Sequence, residues 1–361
     1  MDYSGINWEF GTELNPIWQQ QAIDAILADK LRAKTFSITS STFSEVIENK
    51  FYLLQSIYPV FTEFCHTNLQ QSPQEMLRVL WKYWLPLGIK MASQRKEIGH
   101  PFIQGILGGQ GTGKTTMCGV LQIILHELGY KCLSLSLDDL YKTYSDRLIL
   151  QQQDPRLIWR GPPGTHDVDL SLDILNKTHQ GKQGIAIPRF DKSLHQGIGD
   201  RTTPEMVQNI DIVLFEGWFV GVKPINPLAF DCPPPPIITE EDKQFARDMN
   251  IRLHDYLPLW EKLDSLIVLH PQDYRLSLMW RKQAEHKMMA KGKPGMSDEQ
   301  IEEFVNYFWR TLHPELFIKP LLKPPTPVDL VIEINSEHGM GKVYQPSNID
   351  ITSNSTIASD S

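Results

Sequence analysis

The chain has only four cysteines in 361 residues, Cys65, Cys118, Cys132 and Cys232, and no two of them stand at CxxC spacing. That scatter argues against a zinc site and against a secreted disulfide framework. Positive charge is also short. The formal net charge is −8, which disfavours nucleic acid as a partner while leaving room for local basic patches. No run reaches the ~18 consecutive apolar residues of a membrane span, so no membrane association is expected. The N-terminal stretch MDYSGINWEFGTELNP is acidic and lacks an apolar centre. It reads neither as a secretory signal nor as a transit peptide, and a cytoplasmic protein is expected. There is no internal repeat.

Apolar residues make up 41% of the chain, enough for a sizeable core in one large domain or two. Residues 1–98 read as a helical N-terminal region, with apolar residues at helical spacing over 17–31 and 72–95. From 99 to 345 the pattern changes to short apolar runs separated by helical stretches. FIQGILG (102–108), CLSLSL (132–137), IDIVLFEG (210–217), SLIVLH (265–270) and DLVIEIN (329–335) predict five strands buried on both faces. Such runs alternating with helices indicate an α/β fold with a five-stranded, mainly parallel sheet in three layers. The proline-rich stretch 222–236 is expected to be a surface excursion. The tail 346–361 is expected to be disordered, because its Ser/Thr-rich end has little to bury.

The strongest motif is GGQGTGKTT, residues 108–116. It fits G-x-x-x-x-G-K-[ST], and a chance match somewhere in this chain is on the order of 1% from residue frequencies. A predicted strand precedes it and a predicted helix follows, closed by Gly129. This chemistry needs side-chain-free glycines, so that successive N–H groups can surround phosphate oxygens ahead of a helix N-terminus. Gly108, Gly109, Gln110, Gly111, Thr112, Gly113, Lys114, Thr115 and Thr116 are therefore the expected nucleotide-binding residues. Lys114 offers a charge to the β- and γ-phosphates of ATP, and Thr115 offers a hydroxyl to Mg2+. The DxxG and NKxD elements of a GTPase switch are absent from the corresponding strand ends.

Three further stretches surround this loop. Glu216 ends the predicted strand 210–217, where open α/β sheets place ligand groups, and suits a metal-proximal acid better than a simple cap. Asp138 and Asp139 end the strand 132–137. One is expected as the base for an acceptor hydroxyl, Asp138, and the other as a helix cap. WRGPPGTHDVDL (159–170) reads as a stiff turn, with Asp167 or Asp169 capping the next helix. The segment 186–201 carries Arg189, Lys192, His195 and Arg201. It fits a small anionic substrate or, more plainly, a solvated loop. Residues 271–293 form a basic helical segment with Arg275, Arg281, Lys282, Lys287, Lys291 and Lys293. It reads either as a charged helix face or as a lid over about 271–295 that closes on the γ-phosphate.

Together, GGQGTGKTT, LSLDDLY, RGPPGTHD, PRFDKS…GDR, FEGW and WRKQAE resemble the phosphoribulokinase/uridine kinase group of P-loop kinases. RGPPGTHD and FDKS…GDR point within it to the D-glycerate 3-kinase branch of plant and cyanobacterial type. The resemblance covers roughly 99–340. It implies a small-molecule kinase that uses ATP and Mg2+ to make 3-phosphoglycerate from D-glycerate, as in photorespiratory glycerate salvage. It also implies Asp138 as the base and Glu216 beside metal and nucleotide. Tyr141 would stand near the acceptor pocket, with Arg160, Gly164, Thr165 and His166 forming one wall of it, Asp191, Lys192 and Arg201 the other, and Arg281 in the lid. Phe190 departs from the Tyr common in the wider group, which fits an acceptor smaller than a nucleoside. Neither resemblance nor residues distinguish a monomer from a homodimer.

Overall fold

The computed structural model describes residues 28–39, 42–292 and 295–348. Most of the helix expected over 17–31, the tail beyond 348 and Lys293 lie outside the described residues. The first elements are α1 (Lys30–Thr35), α2 (Phe43–Phe64), α3 (Pro73–Val79) and α4 (Leu85–Glu97). A π turn at Leu80–Trp84 breaks the single helix expected over 72–95. Pro86 lies just beyond it and has no N–H to return to the preceding turn, which accounts for the widening.

From residue 102 strands and helices alternate. The first half runs β1 (Phe102–Gly108), α5 (Lys114–Glu127), β2 (Cys132–Ser136), α6 (Tyr144–Gln153) and α7 (Val168–His179). Four short strands follow, β3 (Ile185–Ile187), β4 (Phe190–Asp191), β5 (Asp200–Arg201) and β6 (Glu205–Val207), pairing as two ribbons, β3 with β6 and β4 with β5. Next come β7 (Ile212–Gly217), α8 (Glu240–Arg252), α9 (Leu257–Trp260) and β8 (Ser265–Pro271). The last elements are α10 (Leu276–Ala290), α11 (Asp298–Thr311), α12 (Pro314–Phe317), β9 (Leu330–Ile334) and β10 (Met340–Tyr344).

The central sheet has the order β10-β9-β8-β1-β7-β2. Its five inner and right-hand strands pair in parallel, as the buried runs predict. The sheet has six strands rather than the five expected, because β10 turns back antiparallel on β9. In MGKVY only Val343 is buried, so β10 lacks the continuous apolar run that marks the other five.

Successive side chains of each strand face opposite ways. Phe102 and Ile106 of β1, Ile212 and Leu214 of β7, and Ile267 and Leu269 of β8 pack with α5 and with α2 to α4. Ile103 and Leu107, Val213 and Phe215, and Leu266 and Val268 pack with α7, α8 and α9. The result is three layers, with the C-terminal ends of β1, β2, β7 and β8 opening at one edge.

Candidate active site

The glycine loop spans the gap between Gly108, the last residue of β1, and Lys114, the first of α5. Gly111 has φ of +79°, and a Cβ there would stand 2.8 Å from Trp280 Cβ on α10. Both the backbone conformation and the close approach of α10 therefore require glycine. Thr112 Oγ1 donates to Gly109 O at 2.9 Å and braces the turn. The Lys114 ammonium donates to Gly108 O and Gly109 O at 2.7 and 3.1 Å, which seats it over the loop. Gly113 and Thr116 complete the strand-to-helix passage, while Gln110 and Thr115 face a cavity of about 870 Å3.

The two aspartates after β2 take different places. Asp139 Oδ2 accepts from Ser136 N at 3.2 Å, and Ser136 Oγ accepts from Asp138 N at 3.2 Å, a reciprocal cap on the Leu137–Leu140 turn. Asp139 also pairs with Arg189 at 2.9 Å. The Asp138 carboxylate instead enters the cavity, accepting from Tyr141 Oη at 2.7 Å and from Lys192 Nζ at 2.6 Å. Burial pushes its pKa up, but the Lys192 ammonium and the two hydrogen bonds outweigh burial and hold it below the usual carboxylate range. Glu216, 7% exposed at the end of β7, lines the same cavity and stands beside Ser136 in the sheet register.

Of the stretch 159–170, Trp159 and Arg160 reach the cavity. Arg160 Nη1 donates to Gly197 O and Ile198 O at 2.8 and 2.9 Å, and its guanidinium lies over Phe190. Gly161 has φ of +127°, and a Cβ there would meet Phe308 at 2.4 Å. Gly164 N donates to Tyr256 Oη at 2.9 Å. Thr165 closes the turn on itself, donating to Pro162 O at 2.7 Å. Asp167 is the cap of α7, accepting from Leu170 N at 3.1 Å.

His166 is 2% exposed and stands behind the wall, stacked on Tyr141 with its Nδ1 2.8 Å from Tyr256 Oη. Neither His166 nor Thr165 is part of the cavity wall, so the acceptor contact expected of them gives way to support of Tyr141 and of the turn. Burial depresses the His166 pKa to about 3. The unfolded chain takes up a proton below about pH 6.5 that the folded chain refuses, so stability falls as pH drops from 6.5 toward 3. This contribution should reach about 2 kcal/mol at pH 5. Urea unfolding at pH 7 and pH 5 checks it: His166→Gln should lose less stability on acidification than the wild type by about that amount.

The basic patch of 186–201 is largely matched by carboxylates. Arg189 pairs with Asp139 and Glu205, His195 with Asp200, and Arg201 with Asp167. Arg201 Nε also donates to Tyr141 O at 2.7 Å, which ties it to the back of the wall. Asp191 bonds Ser193 and is likewise absent from the cavity lining. Lys192 is the one basic side chain of this segment that the cavity exposes.

A similar sorting applies to the basic helix. Arg275 pairs with Asp273, Lys282 with Glu302, and Lys291 bonds Gln70. Arg281 alone among them lines the cavity, held at 3.0 Å by the buried Glu285 and lying over Phe304. Beside it Trp159, Trp218, Phe304 and Phe308 make an aromatic side to the cavity, which the sequence motifs do not mark. A Ser297–Gln300 capping box and the four-residue spacing of Phe304 and Phe308 mark α11 in the sequence. His338, in the β9–β10 turn, also reaches the loop. Its Nδ1 lies 2.9 Å from Gly111 O, and its ring stacks on Trp280.

A loop of this construction holds polyphosphate, and a carboxylate facing it across a shared cavity gives the terminal phosphate a hydroxyl to reach. The class so defined is that of the P-loop kinases. No protein-family model matches the chain. It is 34% identical over 227 residues to the uncharacterized kinase mug58 of Schizosaccharomyces pombe, covering 60% of this chain and 82% of that protein. It is 32% identical over 252 residues to the chloroplastic D-glycerate 3-kinase of Arabidopsis thaliana, covering 66% of this chain and 53% of that relative. The D-glycerate 3-kinase structure from Cryptococcus neoformans superposes with a TM-score of 0.62 at 29% identity, covering 72% of this chain and 96% of the other. The chain belongs to the D-glycerate 3-kinase-like family of P-loop kinases. Among the described residues no helix is long and apolar enough to cross a membrane.

Proposed function

We propose that the protein transfers the γ-phosphoryl group of ATP to the 3-hydroxyl of D-glycerate, giving 3-phosphoglycerate and ADP. The observation that carries this reading is the placement of Asp138, Lys192 and Arg160 in one cavity with the glycine loop. The acceptor presents a hydroxyl and a carboxylate. Asp138, ionised at neutral pH, orients the hydroxyl and takes its proton as the new O–P bond forms and the bond to the β-phosphate oxygen breaks. Lys192 and Arg160 hold the carboxylate, because Arg201 already serves Tyr141 and Asp167. Lys114 and Arg281 stabilise charge on the transferred group, and the aromatic side of the cavity keeps water from competing.

The hard oxygen donors Thr115 and Glu216 face the same cavity and suit Mg2+, which would shield the phosphate charges when bound. Most of the catalysis in this scheme is positioning and electrostatics. In the cell such an activity returns glycerate to phosphorylated metabolism, with photorespiratory salvage as its setting.

ADP release measured across D-glycerate, uridine, pantothenate and a sugar phosphate tests the reading. Turnover on D-glycerate supports it, whereas turnover on uridine with none on D-glycerate rejects it. Arg160→Ala should then raise the KM for D-glycerate about tenfold while ATP affinity stays nearly constant. Equal loss of both would make Arg160 a support of the turn and not a contact of the acceptor.

A further inference from the structure

We infer that His100, His179 and Asp264 form a binding site for a borderline divalent cation, with Zn2+ the best fit, at the edge of the sheet opposite the glycine loop. The three come from separate segments: the approach to β1, the last residue of α7 and the approach to β8. One ligand atom from each lies within 4.8 Å of the others. His179 Nε2 stands 3.1 Å from His100 Nε2, and His100 Nε2 stands 3.7 Å from Asp264 Oδ1. Two imidazole nitrogens on one tetrahedral zinc are about 3.3 Å apart, so the spacing is close to that of a ligand set.

The surroundings orient these atoms inward. His100 Nδ1 lies 3.0 Å from Pro101 O. A carbonyl only accepts, so Nδ1 donates to it, and Nε2, 3.1 Å from His179 Nε2, is the nitrogen left for a cation. This is the arrangement that fixes metal-bound histidines, in which the other ring nitrogen donates to a carbonyl. Asp264 Oδ2 accepts from Ile103 N at 2.7 Å and Asp264 N donates to Ile103 O at 2.9 Å, leaving Oδ1 toward the histidines. All three side chains are partly exposed, which gives a cation entry and leaves a coordination position for water.

The scarcity of paired cysteines excludes only thiolate sites, and this one uses none. β1 runs from Phe102 to Gly108, which puts the cluster about 20 Å from the nucleotide loop. The cation would thus act as a clamp on the base of the sheet, apart from the chemistry.

The full chain, stripped with a chelator, should be titrated with Zn2+ and with Mg2+ by calorimetry and followed by thermal unfolding. The expected result is one Zn2+ bound per chain and a Tm higher by about 5 °C at saturating zinc, with no such response to Mg2+. His100→Ala and His179→Ala should each abolish the stoichiometric binding and the Tm shift, with far-UV circular dichroism reporting that both variants fold. A Cys132→Ser/Cys232→Ser variant should keep the binding and the shift. Zinc binding that survives in both histidine variants, or its absence from the wild type, overturns the site. In the latter case the two rings share an ordinary hydrogen bond.

Discussion

Asp138→Asn is expected to slow phosphoryl transfer by roughly 10²- to 10⁴-fold while the affinity for ATP changes little. The substitution keeps the shape of the side chain and an oxygen for the Tyr141 hydroxyl, which now donates to Asp138 at 2.7 Å. It removes the charge that holds Lys192 at 2.6 Å and that, in the proposed mechanism, accepts the proton of the acceptor. Lys192 would be freed in the variant, so the KM for D-glycerate can move either way and the rate of the chemical step is the decisive quantity. Single-turnover rates at saturating acceptor, with calorimetric ATP binding alongside, separate the two effects. A rate within about threefold of wild type would return Asp138 to a structural role and leave the proton of the acceptor hydroxyl to another group.

Lys114→Ala should lower kcat about 10³-fold with little effect on folding stability. Without nucleotide the ammonium rests on Gly108 O and Gly109 O. Those carbonyls stand at the mouth of the loop and can be hydrated once the lysine is gone, so the folded state loses little. The transferred phosphate has no such substitute at this position: charge developing on its oxygens would be left to the helix N–H groups and, in the proposed mechanism, to Arg281 and the metal. Lys114→Arg should rescue poorly, because a planar fork cannot occupy the seat that the two carbonyls make for a compact ammonium. Unfolding curves and kcat measured on the same preparations check the claim, and near-normal turnover in Lys114→Ala would refute it.

The parts of this molecule that are legible in the sequence are those whose cause is local. The run FIQGILG, the glycines after it and the helix that follows lie within a few residues of one another; the structure bounds the strand where the pattern does and starts the helix two residues earlier than the apolar pattern, at Lys114. The Asp167 cap is equally local. His166 is different. Its place is fixed by Tyr256, 90 positions later, and by Tyr141 across an isolated bridge, so a polar residue in a turn carries no sign of being buried. Arg201 likewise reads as a free cation until Asp167 and the carbonyl of Tyr141 are brought to it by β5. The β10 strand, exposed along most of its length, offers too little apolar periodicity to register. His338 gives no signal at all, being a single residue at φ +60° in a turn.

The helices of residues 43–97 supply none of the cavity walls. Yet Leu54, Phe61, Trp84 and Met91 share one core with Met117, Leu121 and Ile124 of α5 and with the near face of β1, β7 and β8. Each large side chain uncovered there would forfeit about 1.5–3 kcal/mol, and several together exceed the net stability of an ordinary domain. The catalytic half is therefore not a transplantable module. In this chain a graft of the sheet and its loops without residues 43–97 would leave an open apolar face.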